Sequence, residues 1–189
     1  MRKPLLWGTT LSAALLASTL YFTTGFTELS FFENAYSTIA NLPHIMPYFI
    51  PLAMIFGTGL YLFLALAFTA VAKDTAKVRT LLITAYFCGI AMILVPYDKQ
   101  RAALWLIHTA LAFILAIFVV VLVYEFATVK RPKAKAIAWL QQYLPHALGT
   151  GTLALFIISG INMLMQTYFF ILTSIWLLVV SIIVKESKH

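Results

Sequence analysis

Apolar runs of roughly 20 residues recur along this chain, and clusters of lysine and arginine fill alternate gaps between them. A run of that length matches what an α-helix needs to cross a hydrocarbon core about 30 Å thick. In lipid every backbone polar group must find an internal partner, so such runs can only be spanning helices or closed barrels. The runs are continuously apolar rather than alternating, which excludes barrel strands. The expected fold is therefore all-α: a polytopic integral membrane protein with six transmembrane helices in one bundle. The bundle forms a single domain over residues 1–189, and no gap is long enough for a soluble domain.

The runs place helices near Leu5–Gly25, Ile45–Ala72, Val78–Pro96, Ala102–Ala127, Leu144–Met165 and Tyr168–Val184, with a short turn at Gln166 and Thr167 before the last. Composition agrees. The chain is 62% hydrophobic and 10% charged, against about 45–50% and about 25% in soluble domains. Met1-Arg2-Lys3 and the run after it resemble a secretory signal, but the run is long and further spans follow, so it reads as a retained first helix.

The net charge of +7 does not imply nucleic-acid binding, because the basic residues flank apolar runs and form no separate basic face. They read as topology signals. Arg2 and Lys3, then Lys73, Lys77 and Arg79, then Lys130, Arg131, Lys133 and Lys135, and finally Lys185 and Lys188 fall on one side of a six-span chain. Only Lys99 and Arg101 fall on the other. The expected location is the inner (plasma) membrane, multi-pass, with both termini cytoplasmic. Membrane lipids are the expected partners, possible other membrane subunits come second, and nucleic acid is excluded. The single Cys88 sits mid-helix and reads as a small packing residue. Lys133–Tyr143 reads either as an interfacial helix, with Trp139 and Tyr143 at headgroup level, or as a connecting loop.

The longest polar interruption is Glu33–Pro51, which carries Asn34, Asn41, His44, two hydroxyls and prolines at 43, 47 and 51. If helical, Pro47 and Pro51 each remove a backbone hydrogen bond and favour a kinked, polar entry to the second span. His108 lies seven residues past Arg101, about 10 Å into the membrane at 1.5 Å per residue. An imidazole at that depth needs partners. The candidate ligand-binding cluster on the outer face is His108, His44, Asp98, Asn41, Glu33, Asn34 and Arg101, above apolar walls of Phe56, Ala112 and Leu115. Asp98 reads alternatively as a solvated turn residue paired locally with a cation. Glu125 is expected to pair with Lys130, and His146 to sit at the interface. Gly149 and Gly151, with Ala147 and Ala154 nearby, mark close helix contact.

Three of these segments resemble a family. Ile39-Ala40-Asn41-Leu42-Pro43 stands where that family ends its first external segment on an Ile-Ser-Glu-Leu-Gly-like motif. Val95-Pro96-Tyr97-Asp98 matches the proline and aspartate that close its third helix, and His108-Thr109-Ala110-Leu111-Ala112 the histidine that opens its fourth. The family is the prokaryotic six-helix membrane proteins called domain of unknown function 998. The resemblance implies the six-helix fold and a clustered outer-face site, and brings no activity. Where the family has Ser, Glu and Gly, this chain has Ala40, Asn41 and Pro43, so the carboxylate is either missing or supplied by Glu33.

Three functions follow as expectations. The first is a non-enzymatic membrane protein that binds lipid or a small molecule, or serves as a subunit of a larger complex. The second is a b-type haem electron carrier with His44 and His108 as axial ligands. The third is a small transporter, or an intramembrane hydrolase built on Ser37, His44 and Asp98. The residues name no other cofactor.

Overall fold

The computed structural model describes residues 3–25, 35–40, 42–71, 75–98, 100–129 and 132–187. Every element among them is helical: α1 (Lys3–Thr24), α2 (Tyr36–Ala40), α3 (Met46–Val71), α4 (Thr75–Leu94), α5 (Ala102–Ala127), α6 (Lys135–His146), a π-helical turn (Ala147–Gly151), α7 (Thr152–Ser159) and α8 (Met163–Ser187). Five of them, α1, α3, α4, α5 and α8, are each long and apolar enough to cross a membrane. The remaining expected span is a composite. His146, Ala147, Gly151 and Thr152 all keep right-handed helical angles, so α6, the π-turn and α7 form one unbroken helical run.

That run begins and ends earlier than the hydropathy pattern suggests. It starts at Lys135 rather than Leu144 and stops at Ser159 rather than Met165. Gly160 explains the stop. Its φ of 71° is a left-handed conformation that glycine adopts without a steric penalty, and its N–H closes on the Phe156 carbonyl. Asn162 then caps α8: its Oδ1 accepts from the Met165 N–H at 3.0 Å while its Nδ2 donates to the Ser159 carbonyl at 3.1 Å. The turn is therefore at Gly160–Asn162, not at Gln166 and Thr167. Lys133–Tyr143, read from sequence as an interfacial helix or a loop, lies largely within α6, with Trp139 and Tyr143 exposed and their rings 5.1 Å apart.

Neighbouring helices run antiparallel. Gly8 of α1 meets Ser181 of α8, and the Ser12 hydroxyl donates to the Ser174 carbonyl at 2.9 Å. Thr58 and Tyr86 pair their hydroxyls across α3 and α4 at 3.1 Å. Gly89 approaches Leu115 across α4 and α5, and Phe113 packs on Phe156 across α5 and α7. The start of α1 and the end of α8 consequently lie at one end of the bundle, with Lys77, Arg79, Lys133, Lys135 and Lys185. We call this the basic end. Its ties are polar: Lys77 with Glu125, and the Lys133 N–H with Glu186 at 2.9 Å. Glu125 thus pairs with a lysine of α4; its expected partner Lys130 lies outside the described residues.

The core is one-sided. Phe63, Leu64, Ala67 and Phe68 of α3, Val78, Leu82 and Ala85 of α4, and Leu122, Val123 and Phe126 of α5 are buried against Trp176–Val184 of α8. All of these lie in the basic half. In the far half, no residue of α3 from Met46 to Leu62, of α4 from Tyr86 to Leu94, of α5 from Ala102 to Val121, or of α7 is buried. The only buried cluster there among the described residues is small: Tyr36, Ile39 and Met163, backed by Phe22, Leu42 and Phe170, between α1, α2 and α8.

Candidate functional site

Two polar groupings occupy the far end, and they belong to different pairs of helices. The first is the α4–α5 hairpin. Pro96 cannot continue α4, which leaves its last carbonyls without helical donors. His108 supplies one: its Nδ1 lies 2.7 Å from the Val95 carbonyl, so Nδ1 carries the proton and Nε2 is left as the acceptor. Its ring also packs edge-on to Tyr97 at 5.4 Å, and the Trp105 indole donates to the Tyr97 hydroxyl at 3.3 Å. Asp98 is engaged twice within the same turn. Its Oδ1 accepts the Gln100 N–H at 2.9 Å, and its Oδ2 lies 3.3 Å from Arg101 Nε. The Arg101 side chain is 74% exposed, so that pair contributes no more than about 1 kcal/mol.

The second grouping fixes the described part of the polar interruption. The Tyr36 N–H donates to Gln166 Oε1 at 2.7 Å, and its phenol lies 2.5 Å from the Thr167 hydroxyl. The ring stacks on Phe170 at 5.6 Å and meets Phe22 at 5.4 Å. Burial pushes the Tyr36 phenol above the ordinary tyrosine value of 10.0, and the bond to Thr167 opposes this only in part. Helix α2 is therefore docked on α1 and α8, away from the α4–α5 hairpin.

Of the residues expected to converge, His108, Asp98 and Arg101 share one hairpin, with His108 bonded to the backbone and Asp98 to the turn. His44 is exposed in the turn before α3, and no hydrogen bond among the described residues joins it to His108 or Asp98. Glu33, Asn34 and Asn41 lie outside the described residues. A bis-histidine haem needs two imidazoles facing one cleft, and the exposed His44 gives that reading no support. Among the described residues no three His, Cys, Asp or Glu side chains are grouped as metal ligands.

The sequence named Phe56, Ala112 and Leu115 as apolar walls below the outer-face cluster. The far halves of α3, α4, α5 and α7 carry no buried residue, and Phe56 and Leu115 pack on the core below them. Ala112 of α5 is half-buried. Thr109, next to His108, has its hydroxyl shielded from solvent with no hydrogen-bond partner among the described residues. Most other helical threonines here bond a carbonyl one turn back, as Thr9, Thr19 and Thr69 do. Comparison with protein-family models, with curated proteins and with solved structures gives no match.

Proposed function

We propose that the chain is a non-enzymatic multi-pass membrane protein that binds an amphipathic molecule, a lipid or a lipid-like compound, in the open far half of its bundle. The observation that carries this reading is the one-sided core: the buried residues gather at the basic end, and no residue is buried in the far halves of four helices. Those far halves meet at separate contacts, Thr58 with Tyr86 and Phe113 with Phe156 among them, which leaves side chains between them accessible to an occupant. The His108 Nε2 and the orphaned Thr109 hydroxyl suit a polar head, and Phe56 and Leu115 suit an apolar tail. Asp98 and Arg101 at the far end hold the turn before α5. By the positive-inside rule the basic end faces the cytoplasm of a plasma membrane and the open half faces outward. The likeness to domain of unknown function 998 belongs to the same proposal.

Photoreactive phospholipid carried in nanodiscs tests it. Adducts should form on Thr109 and Ala112 of α5, both half-buried. Replacing Ala112 with Trp should abolish them while leaving adducts on the exposed Ile117 unchanged. Labelling confined to exposed positions would sink the reading.

A further inference from the structure

A cavity lies at the basic end, between α3 and α4. It has a volume of about 440 Å³. Its rim is polar, with Arg79 and Thr75 from the first turns of α4, and its depth is apolar, with Ala65, Phe68 and Leu82. Tyr61 closes the far side, its ring 4.8 Å from that of Tyr86. From Thr69 to Tyr61 the cavity follows α3 for roughly 12 Å, eight residues at 1.5 Å each. It therefore starts at the level of the loop ends and reaches well into the hydrocarbon.

Among the described residues its charge is unbalanced. Arg79 is exposed and has no carboxylate partner among the described residues. Glu125, the acid on the adjoining end of α5, is already taken by Lys77. Arg79 is the one side chain in the lining that is charged at neutral pH, so the cavity presents a guanidinium over a largely apolar slot. A guanidinium offers a planar fork of donors that matches phosphate oxygens, and basic pockets between spanning helices at this kind of membrane face take up anionic headgroups.

We infer that this cavity is a binding site for an anionic phospholipid of the leaflet at the basic end. The phosphate sits at Arg79 and Thr75, and one acyl chain lies along Ala65 and Leu82. The site is separate from the open far half, and neither reading depends on the other.

The test uses the whole protein, purified in detergent and titrated with phosphatidylglycerol, phosphatidylcholine or inorganic phosphate. Native mass spectrometry reads retained lipid, and thermal unfolding reads stabilisation. Phosphatidylglycerol should be retained in preference to phosphatidylcholine and should raise the melting temperature, and inorganic phosphate should not. Arg79→Gln should weaken phosphatidylglycerol retention about fivefold, the worth of one basic side chain near an anionic surface. Ala65→Phe keeps the charge and fills the slot, and should weaken it as well; this variant decides the matter alone if Arg79→Gln fails to fold. Equal retention of the two lipids, equal stabilisation by free phosphate, or unchanged retention in the variants would each overturn the inference. Adducts on Thr109 from the photoreactive lipid should be unaffected by Arg79→Gln, which keeps the two sites experimentally distinct.

Discussion

At the scale of single residues, two glycines set how closely the helices approach. A Cβ on Gly8 would lie 1.7 Å from Ser181 Oγ and 2.7 Å from the Phe63 ring. A Cβ on Gly151 would lie 2.1 Å from the Tyr168 hydroxyl and 2.6 Å from its Cζ. Tyr168 needs that space because its hydroxyl donates to the Ala147 carbonyl at 2.7 Å, the first residue of the π-turn. Gly151→Ala should therefore destabilise the bundle by about 1–3 kcal/mol, the usual range for overpacking. In a Tyr168→Ala background the same substitution should be close to neutral, because the obstructing ring is gone. Thermal unfolding of the four proteins in detergent gives the coupling directly, and additive losses would rule out this contact. The pair at 149 and 151 was legible in the sequence as a place of close approach, although a tyrosine side chain fills it rather than a neighbouring backbone. Gly8 was not legible, because it lies next to two threonines in a run already rich in small residues, and nothing local says that α8 crosses there. His108 was legible as a residue in need of a partner. That the partner is the Val95 carbonyl follows from Pro96 ending α4, which is a matter of three-dimensional approach rather than of spacing.

At the scale of elements, α5 was read from the sequence at its observed bounds, Ala102–Ala127, because charge flanks it on both sides and no glycine or proline interrupts it. The α6–α7 run was misread at its two ends, because the polar first turns of α6 conceal its start and Gly160 ends α7 where the apolar run continues. Pro145 and Gly149–Gly151 sit inside a continuous helix, accommodated by the π-turn, while the apparently harmless Gly160 ends it. The π-turn has side-chain support: the Thr150 hydroxyl donates to the His146 carbonyl and Tyr168 to that of Ala147. Such turns widen the helix by one residue and free backbone carbonyls that need such donors. Helix α6 is then anchored to the end of α5 by Gln141, which is 5% exposed and donates to the Phe126 carbonyl at 3.0 Å and to that of Val129 at 3.4 Å. The Val129 N–H reaches the Phe126 carbonyl only at 3.4 Å, so Gln141 supplies its shorter bond. Gln141→Met conserves volume but removes both donations, a loss of about 0.5–1.5 kcal/mol. The expected result is a lowered melting temperature together with faster proteolysis in the loop between α5 and α6. If the melting temperature and the proteolysis rate both match those of the parent, this anchor is not what holds α6.

At the scale of the whole molecule, the antiparallel packing and the charge pattern make one argument about orientation. Gly8 beside Ser181 and Ser12 beside Ser174 put the start of α1 and the end of α8 at the same end of the bundle. The same alternation carries Lys77, Arg79, Lys133 and Lys135 to that end, and places the Pro96–Asp98 turn, α2 and Asn162 at the other. Lysine and arginine within a few residues of span ends are retained on the cytoplasmic side, so the expected topology has both termini inside and the open half of the bundle outside. Single cysteines at Asn34, Lys77, Gln100 and Lys133, in a Cys88→Ala background, test it with a membrane-impermeant thiol reagent on intact cells. Cys88 is half-buried within α4 and its replacement by alanine removes one sulfur from a helix interior. Labelling should appear at 34 and 100 and stay absent at 77 and 133 until the membrane is permeabilised. Labelling at 133 in intact cells would invert the orientation. The proposed anionic-lipid cavity would then face the external leaflet and the open far half the cytoplasm, so the same experiment fixes which leaflet supplies each ligand.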